Sequence, residues 1–245
     1  MPSSPKPGSP KPGSPKPGSP KSSSPKSSSS EPASKLAPVH DKVYAAIRSG
    51  LVGGQFVPGR AVTLRGLAEM LGVSPMPVRA AVTRLVAEGA LTLTATRRVS
   101  VPVMTPARFE ELVRVRMLLE GEAAERALPA IDAERLAAIR MHDDEVERCL
   151  AEDDAEGYMR ANHAFHFAIY TAVSSSVLLP LIETLWLQFG PFMRLVYEDL
   201  DMSGLVDQHH RAITAIDRGD ARGLRDAIEA DIGDGMRIIG KMALG

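Results

Sequence analysis

The sequence predicts a mainly α protein: an N-terminal winged helix-turn-helix with a small β wing, then a C-terminal all-α helical bundle, behind a disordered N-terminal tail. Three observations predict it. Residues 64–89 hold two helical stripes that meet at a glycine. Residues 91–103 hold two runs that alternate with a period of two around a short turn. From Pro106 onward, apolar residues recur at helical spacing and no run alternates like a strand. The expected divisions are 1–38, 39–104 and 105–245.

The tail comes first. Ser-Pro-Lys-Pro-Gly repeats from Ser4, Ser9 and Ser14 and decays into Ser-Pro-Lys-Ser-Ser-Ser. Proline removes amide donors and nothing apolar is available to bury, so residues 1–38 are expected to be disordered with polyproline character. Such a tail is either a solvated appendage or a basic arm that adds nonspecific phosphate affinity. Residues 39–52 follow as an amphipathic helix with Val43, Ala46, Ile47 and Leu51 inward. The Gly53-Gly54 and Pro58-Gly59 pairs end it and turn the chain.

The next helix buries Leu64, Leu67, Ala68 and Leu71, spaced i, i+3, i+4, i+7. Gly72 ends it, because glycine enters the left-handed region without a Cβ clash. Val73 fills the corner, Ser74 is a good N-cap, and Pro75 suits the first helical position. The second helix buries Val78, Ala81, Val82, Leu85 and Val86. Its open face carries Met76, Arg79, Ala80, Thr83 and Ala87. Leu91-Thr-Leu-Thr and Val99-Ser-Val-Pro-Val then read as strands flanking the basic turn Ala95-Thr-Arg-Arg98. Pro102 to Pro106 is the linker, and Thr105 can cap the helix that follows. Helical periodicity continues in blocks 106–128, 132–152, 154–173, 175–199, 203–218 and 220–241. Gly190-Pro191 inside the fourth block is expected to kink or split it.

Composition narrows the classes. The chain has 245 residues and one cysteine, Cys149, which excludes an internal disulfide and fits a reducing compartment. No apolar run approaches the ~20 residues of a membrane span, and the start lacks the apolar core of a signal peptide. The net charge of −1 is unevenly spread: +5 over residues 1–35, +5 over 36–105 and −11 over 106–245. A basic first third suits a polyanion partner, and the acidic remainder does not.

The run from Ile47 to Arg60 is similar to the first helix and Pro-Gly turn of GntR-type winged-helix regulators. Leu67-Ala, Leu71-Gly-Val-Ser, Pro77-Val-Arg, Arg84-Leu and Glu88-Gly resemble the DNA-binding signature of that family. Phe109, Leu112, Val113, Arg116, Leu119 and Glu120 resemble the first helix of the effector (FCD) domain in the FadR-type branch. The resemblance spans residues 40 to 240. It implies a homodimeric cytoplasmic, nucleoid-associated bacterial repressor that binds palindromic double-stranded operator DNA and answers to a small carboxylate effector. The DNA contacts it implies are Arg65, Ser74, Met76, Arg79, Thr83, Arg97 and Arg98, each arginine being otherwise a solvated charge. Where the family has Ser-Arg-Thr-Pro-Val-Arg, this chain has Ser74-Pro-Met-Pro-Val-Arg79, so a guanidinium is lost and an apolar group gained. In the wing, Arg98 stands where the family has glycine.

The same resemblance implies a divalent metal (Zn, Ni or Mn) inside the bundle. Asn162 matches the family aspartate, His166 the first histidine, His210 the second and Asp231 the third. One carboxylate, two imidazoles and an amide oxygen suit such an ion; the competing reading is a metal-free pair of hydrogen-bonded histidines. His163 and His209 point about 100° away and read as outer or surface groups. His40 and His142 read as solvent or capping residues. Arg116 matches a family arginine that faces the effector, where a guanidinium forks onto a carboxylate. Its competing role is a structural pair with Glu120, four residues on. Trp186, Phe189, Phe192 and Tyr197 read as core and pocket wall. No nucleophile motif or Gly-rich phosphate loop accompanies the histidines, so catalysis is not expected. A metal-dependent enzyme on the bundle and an architectural DNA-binding protein are the alternative functions.

Overall fold

A computed structural model describes residues 33–198 and 207–243. Helix α1 (Ala33–Val52) begins six residues ahead of the expected start, so the tail expected to be disordered over 1–38 otherwise lies outside the described residues. Val43, Ile47 and Leu51 of α1 are buried, whereas Ala46, expected inward with them, is exposed.

The winged domain follows as β1 (Val62–Thr63), α2 (Leu64–Met70), α3 (Pro75–Ala87), β2 (Thr92–Leu93) and β3 (Arg98–Ser100). Thr63 caps α2, its hydroxyl accepting from Gly66 N at 2.9 Å. Gly72 stands at φ 63°, which lets the chain turn between the helices. Ser74 holds the N-cap position of α3, but its side chain makes no cap bond. Pro77 occupies the third helical position, where the missing N–H removes one of the usual donors to a capping hydroxyl. On α3, Val78, Ala81, Val82 and Leu85 are buried; Val86, expected inward, lies at the rim of the core with 37% exposure.

The wing is shorter than the alternation suggests, and it recruits a strand that alternation over two residues does not reveal. The sheet order is β1-β3-β2, all antiparallel, with Val62 opposite Val99 and Leu93 also opposite Val99. Arg97 N donates to Thr94 O and Thr94 N to Arg98 O, both at 2.9 Å, closing the tip. Arg97 takes the left-handed conformation there (φ 60°), and Arg98 lies in β3. The strained position is therefore Arg97, one residue ahead of the family glycine's place.

The bundle comprises α4 (Pro106–Ala127), α5 (Ala133–Ala151), α6 (Ala155–Tyr170), α7 (Leu178–Glu198), α8 (Gln208–Arg218) and α9 (Ala221–Ala243). Side chains cap five of them, Asp220 before α9 accepting from Gly223 N at 2.8 Å. Thr105, Asp132, Asp154 and Asp207 accept from Arg108 N, Arg135 N, Gly157 N and His210 N respectively. Of the kink or split expected at Gly190-Pro191, the split does not occur: α7 continues through both residues. Packing outweighs the local cost of proline: a Cβ at Gly190 would lie 2.8 Å from Leu51 O and 2.9 Å from Val52 Cα, so the end of α1 rests directly on α7.

Further bonds join the winged domain to the bundle here. Gln188 Nε2 donates to Glu88 O (3.0 Å), while Arg108 Nη2 donates to Gly89 O (3.2 Å) and to Gln188 Oε1 (2.9 Å). Arg48 pairs with Glu183 at 3.0 Å, and Gln55 Nε2 donates to Glu156 Oε1 at 2.8 Å.

Candidate DNA-binding face and candidate metal centre

Helix α3 spends one face on the core and leaves the other uncovered. Met76 is 69% exposed, and Arg79 and Thr83 are exposed beside it. Thr83 Oγ1 donates back to Arg79 O at 2.9 Å, so its hydroxyl oxygen keeps acceptor capacity. Arg65 is exposed and paired with Glu69 at 2.9 Å. A pair so open to water is worth little and yields readily to a phosphate. Arg97 and Arg98 are exposed on the wing.

Inside the bundle, polar side chains from all six helices meet. His166 Nε2 lies 3.2 Å from Asp231 Oδ2, and His209 Nε2 lies 3.9 Å from Asp231 Oδ1. The three residues bring one ligand atom each to within 4.8 Å of one another. His209 Nδ1 is 2.9 Å from Asp143 Oδ1, and its ring stacks on Phe165 at 3.8 Å. His166 Nδ1 is 3.0 Å from the Tyr170 hydroxyl. Glu120, fully buried, accepts from Tyr170 (3.0 Å), from Trp186 Nε1 (2.9 Å) and from Arg116 Nε (2.7 Å).

The electrostatics agree with this pairing. Burial opposes charge on Asp231, yet the His166 hydrogen bond and the nearby His209 and Arg116 hold its carboxyl below the ordinary range. Burial likewise opposes charge on His209, and its Asp143 bond and Asp231 overcome it, raising the imidazole. Burial first, then the charges of Glu120 and Asp231, drive the Tyr170 hydroxyl well up.

Two imidazoles and a carboxylate fit a divalent ion by donor type. Bonds of about 2.0–2.1 Å place the ligands of a tetrahedral ion about 3.3 Å apart; the His166–Asp231 pair is at that spacing, and the three ligand atoms together lie within 4.8 Å.

The cluster differs at one position from the expected set. His210 is exposed at the first turn of α8, its backbone N bonded to Asp207, and it takes no part in the cluster; His209 does. The reason lies in the α8 stripe. His209, Ala212, Ile213 and Ile216 are all buried at i, i+3, i+4, i+7, a pattern readable from the sequence. Counting from His210 instead brings in Thr214 and Asp217. Asn162 is buried one turn before His166 on α6, and its amide makes no hydrogen bond among the described residues. Arg116 is buried and pairs with Glu120, with its guanidinium over the rings of Trp186 (4.8 Å) and Phe189 (4.7 Å). Only its Nε is so used; Nη1 and Nη2 bond to no other described residue. Asp143 and Tyr170 are functional candidates that motif resemblance misses, and Glu120, read beforehand only as a partner for Arg116, is the shared acceptor of Arg116, Tyr170 and Trp186. Asp143 lies between buried Ile139 and Val146 at i+4 and i+7, which is a polar interruption of an apolar stripe.

Residues 40–101 match bacterial regulatory proteins of the gntR family, and residues 111–234 match the FCD domain. The chain belongs to the GntR family and carries an FCD domain. It is 29% identical over 178 residues to the HTH-type transcriptional regulator McbR of Escherichia coli (strain K12), spanning 71% of this chain and 80% of that protein. Identity is 32% over 127 residues to an uncharacterized HTH-type regulator of Agrobacterium vitis, over 50% of this chain and 74% of that one. The solved structure of E. coli McbR/YncC superposes with a TM-score of 0.77 at 26% identity, covering 83% of this chain and 97% of the other. A GntR regulator from Rhodococcus sp. RHA1 shares the fold, with a TM-score of 0.69 at 20% identity over 84% and 99% of the two chains. These are transcription regulators, so this GntR-family chain is a transcriptional regulator and not an enzyme. Among its described residues no helix is long and apolar enough to cross a membrane.

Proposed function

We propose that this GntR-family regulator is a cytoplasmic, nucleoid-associated repressor. It divides near residue 104 into a reader and a sensor, and binds a palindromic operator as a homodimer. The uncovered face of α3 carries the reading: Met76, Arg79 and Thr83 stand free of the core on the element that enters a major groove in this fold. Arg79 contacts a base edge or phosphate, and Met76 offers only apolar contact, such as to a thymine methyl. Arg65, the Ser74 hydroxyl, Arg97 and Arg98 contact phosphates and set register.

The sensor holds a divalent ion (Zn, Ni or Mn) through His166, His209 and Asp231, with the amide oxygen of Asn162 as a further donor. Bound there, the ion supplies a positive centre for an anionic effector. Arg116 gives the effector carboxylate its second anchor, since Glu120 engages Nε and leaves the Nη groups. Helix α7 then links sensor to reader. Trp186 sits in the polar cluster, and two residues on, Gln188 holds the winged domain. The effector acts by binding one domain arrangement better than the other.

The test is binding of the protein to its own promoter region by gel shift or anisotropy. Arg79→Ala is expected to lose roughly 1–3 kcal/mol of specific binding per recognition helix with the fold intact by circular dichroism. Undiminished sequence-specific binding by the folded variant sinks the assignment.

A further inference from the structure

The far end of α3 is closed from the bundle. There Gly89 stands at φ 71°, and Ala90 N and Gly89 N return to Leu85 O (2.9 Å) and Val86 O (3.0 Å). These bonds satisfy two of the carbonyls that a helix leaves open at its C-terminus. The carbonyls of Glu88 and Gly89 go instead to side chains of the other domain. Gln188 Nε2, on α7, donates to Glu88 O at 3.0 Å, and Arg108 Nη2, in the first turn of α4, donates to Gly89 O at 3.2 Å. The same Nη2 reaches Gln188 Oε1 at 2.9 Å, so both ends of the amide are engaged. A cation here also meets the negative end of the helix dipole. A Cβ at Gly89 would lie 3.3 Å from Gln188 Nε2, so glycine lets the amide approach as well as the chain turn. On the opposite side, the Glu88 carboxylate accepts from the Tyr44 hydroxyl of α1 (2.9 Å) and from Arg84 Nε (3.0 Å).

We propose that Gln188 and Arg108 are positioning residues for operator recognition: they fix the tilt of α3 from its C-terminal end, and through them DNA on the reading face is felt at Trp186. This rests on the reader role of α3 proposed above. Neither side chain belongs to the open face of α3. Their effect is on alignment, since base contacts specify whereas phosphate contacts hold any sequence. A reading helix free to rock keeps its attraction for phosphates and loses its register with base edges. The path to the sensor is short. Gln188 lies between Trp186 and Phe189 in α7, and the Arg116 guanidinium lies over both of those rings. Arg108 precedes Phe109, whose ring meets Phe189 at 6.4 Å. A shift of α3 that pulls on Gln188 therefore pulls on the turn that carries Trp186, whose Nε1 donates to buried Glu120. Coupling of this kind is reciprocal, so a change at the sensor reaches α3 by the same bonds.

Trp186 is the only tryptophan of the chain, so one titration of the full chain reads both ends. A labelled fragment of the protein's own promoter region is followed by anisotropy at one salt concentration, with Trp186 emission recorded in parallel. Wild type should prefer that fragment to random DNA and change its emission with the same midpoint. Gln188→Leu and Arg108→Met, each checked by circular dichroism, should bind the promoter fragment roughly 5- to 10-fold more weakly. Both should bind random DNA as wild type does, and both should lose the emission change. Arg108→Met, at a half-buried site, decides the matter where Gln188→Leu does not fold. Arg48→Gln, which breaks the ion pair with Glu183 elsewhere between the domains, should behave like wild type. Undiminished preference for the promoter fragment in the folded variants overturns the positioning role. An emission change that is absent in wild type, or that survives in the variants, overturns the coupling to Trp186. A wild type with no preference for the promoter fragment overturns the reader assignment and the positioning role with it.

Discussion

Arg116 Nε stands 2.7 Å from Glu120 Oε1, one turn along α4, and the two side chains are 3% and 0% exposed. Desolvating both charges is costly, and the pair is kept because Tyr170 and Trp186 also donate to Glu120. Removing one partner is therefore expected to cost far more than breaking a surface pair. Arg116→Met should lose about 3–5 kcal/mol in urea denaturation. Adding Glu120→Gln to that variant should recover part of the loss, since the uncompensated charge is gone. A single variant within about 1 kcal/mol of wild type would show the pair to be solvated in solution.

Adjacent histidines of α8 have opposite fates. His209→Ala should abolish stabilisation by added Zn²⁺, whereas His210→Ala should keep it. With free ion at 100 times its dissociation constant, wild type should gain about 2.7 kcal/mol over the metal-free protein, read as a rise in melting temperature. Equal loss in both variants would return His210 to the ligand set.

His163 supplies a pH test. Its ring stacks on Phe167 at 4.1 Å and meets the edge of Trp186 at 5.1 Å. Burial, reinforced by the charges of His166 and Arg48, pushes its pKa from 6.5 down to about 4. A folded value below the unfolded one means that the contribution is complete above about pH 6.5 and fades as pH falls toward 4. His163→Phe should therefore flatten acid destabilisation across that window by about 2–3 kcal/mol. His209 works in the other direction. Its raised pKa gives a contribution that is full below the ordinary histidine value and is lost as pH climbs through the folded one. Stability curves of wild type and His163→Phe that run parallel from pH 7 to 4 would refute the assignment.

Much of this architecture was legible because local chemistry and packing agree. Gly72, Ser74 and Pro75 mark the turn whatever lies around them, and Thr105 caps α4 as its position before Pro106 implies. The sheet was less legible: β1 is two residues long and exists only because β3 offers a free edge. The metal candidates show where motif and periodicity part. His210 precedes Arg-Ala-Ile as the family pattern asks, but the stripe that faces the core starts at His209. Locally Glu120 shows only as a helical partner for Arg116, four residues before it. Its role arises from Tyr170 and Trp186, 50 and 66 residues away, and such convergence is a property of the folded bundle.

The seating of Gly190 against the Leu51 carbonyl has a consequence for experiment. That joint is steric, a backbone resting on a backbone, and shape contact does not weaken as electrolyte is added. The Arg48–Glu183 ion pair there is 29% and 40% exposed and contributes little. Raising ionic strength should thus leave the winged domain docked while stripping counterion-driven affinity from the operator complex. The slope of a salt titration on this protein then counts neutralised phosphates, undistorted by a loosening molecule. Gly190→Ala, which drives a methyl into that joint, should be the variant for which the count goes astray.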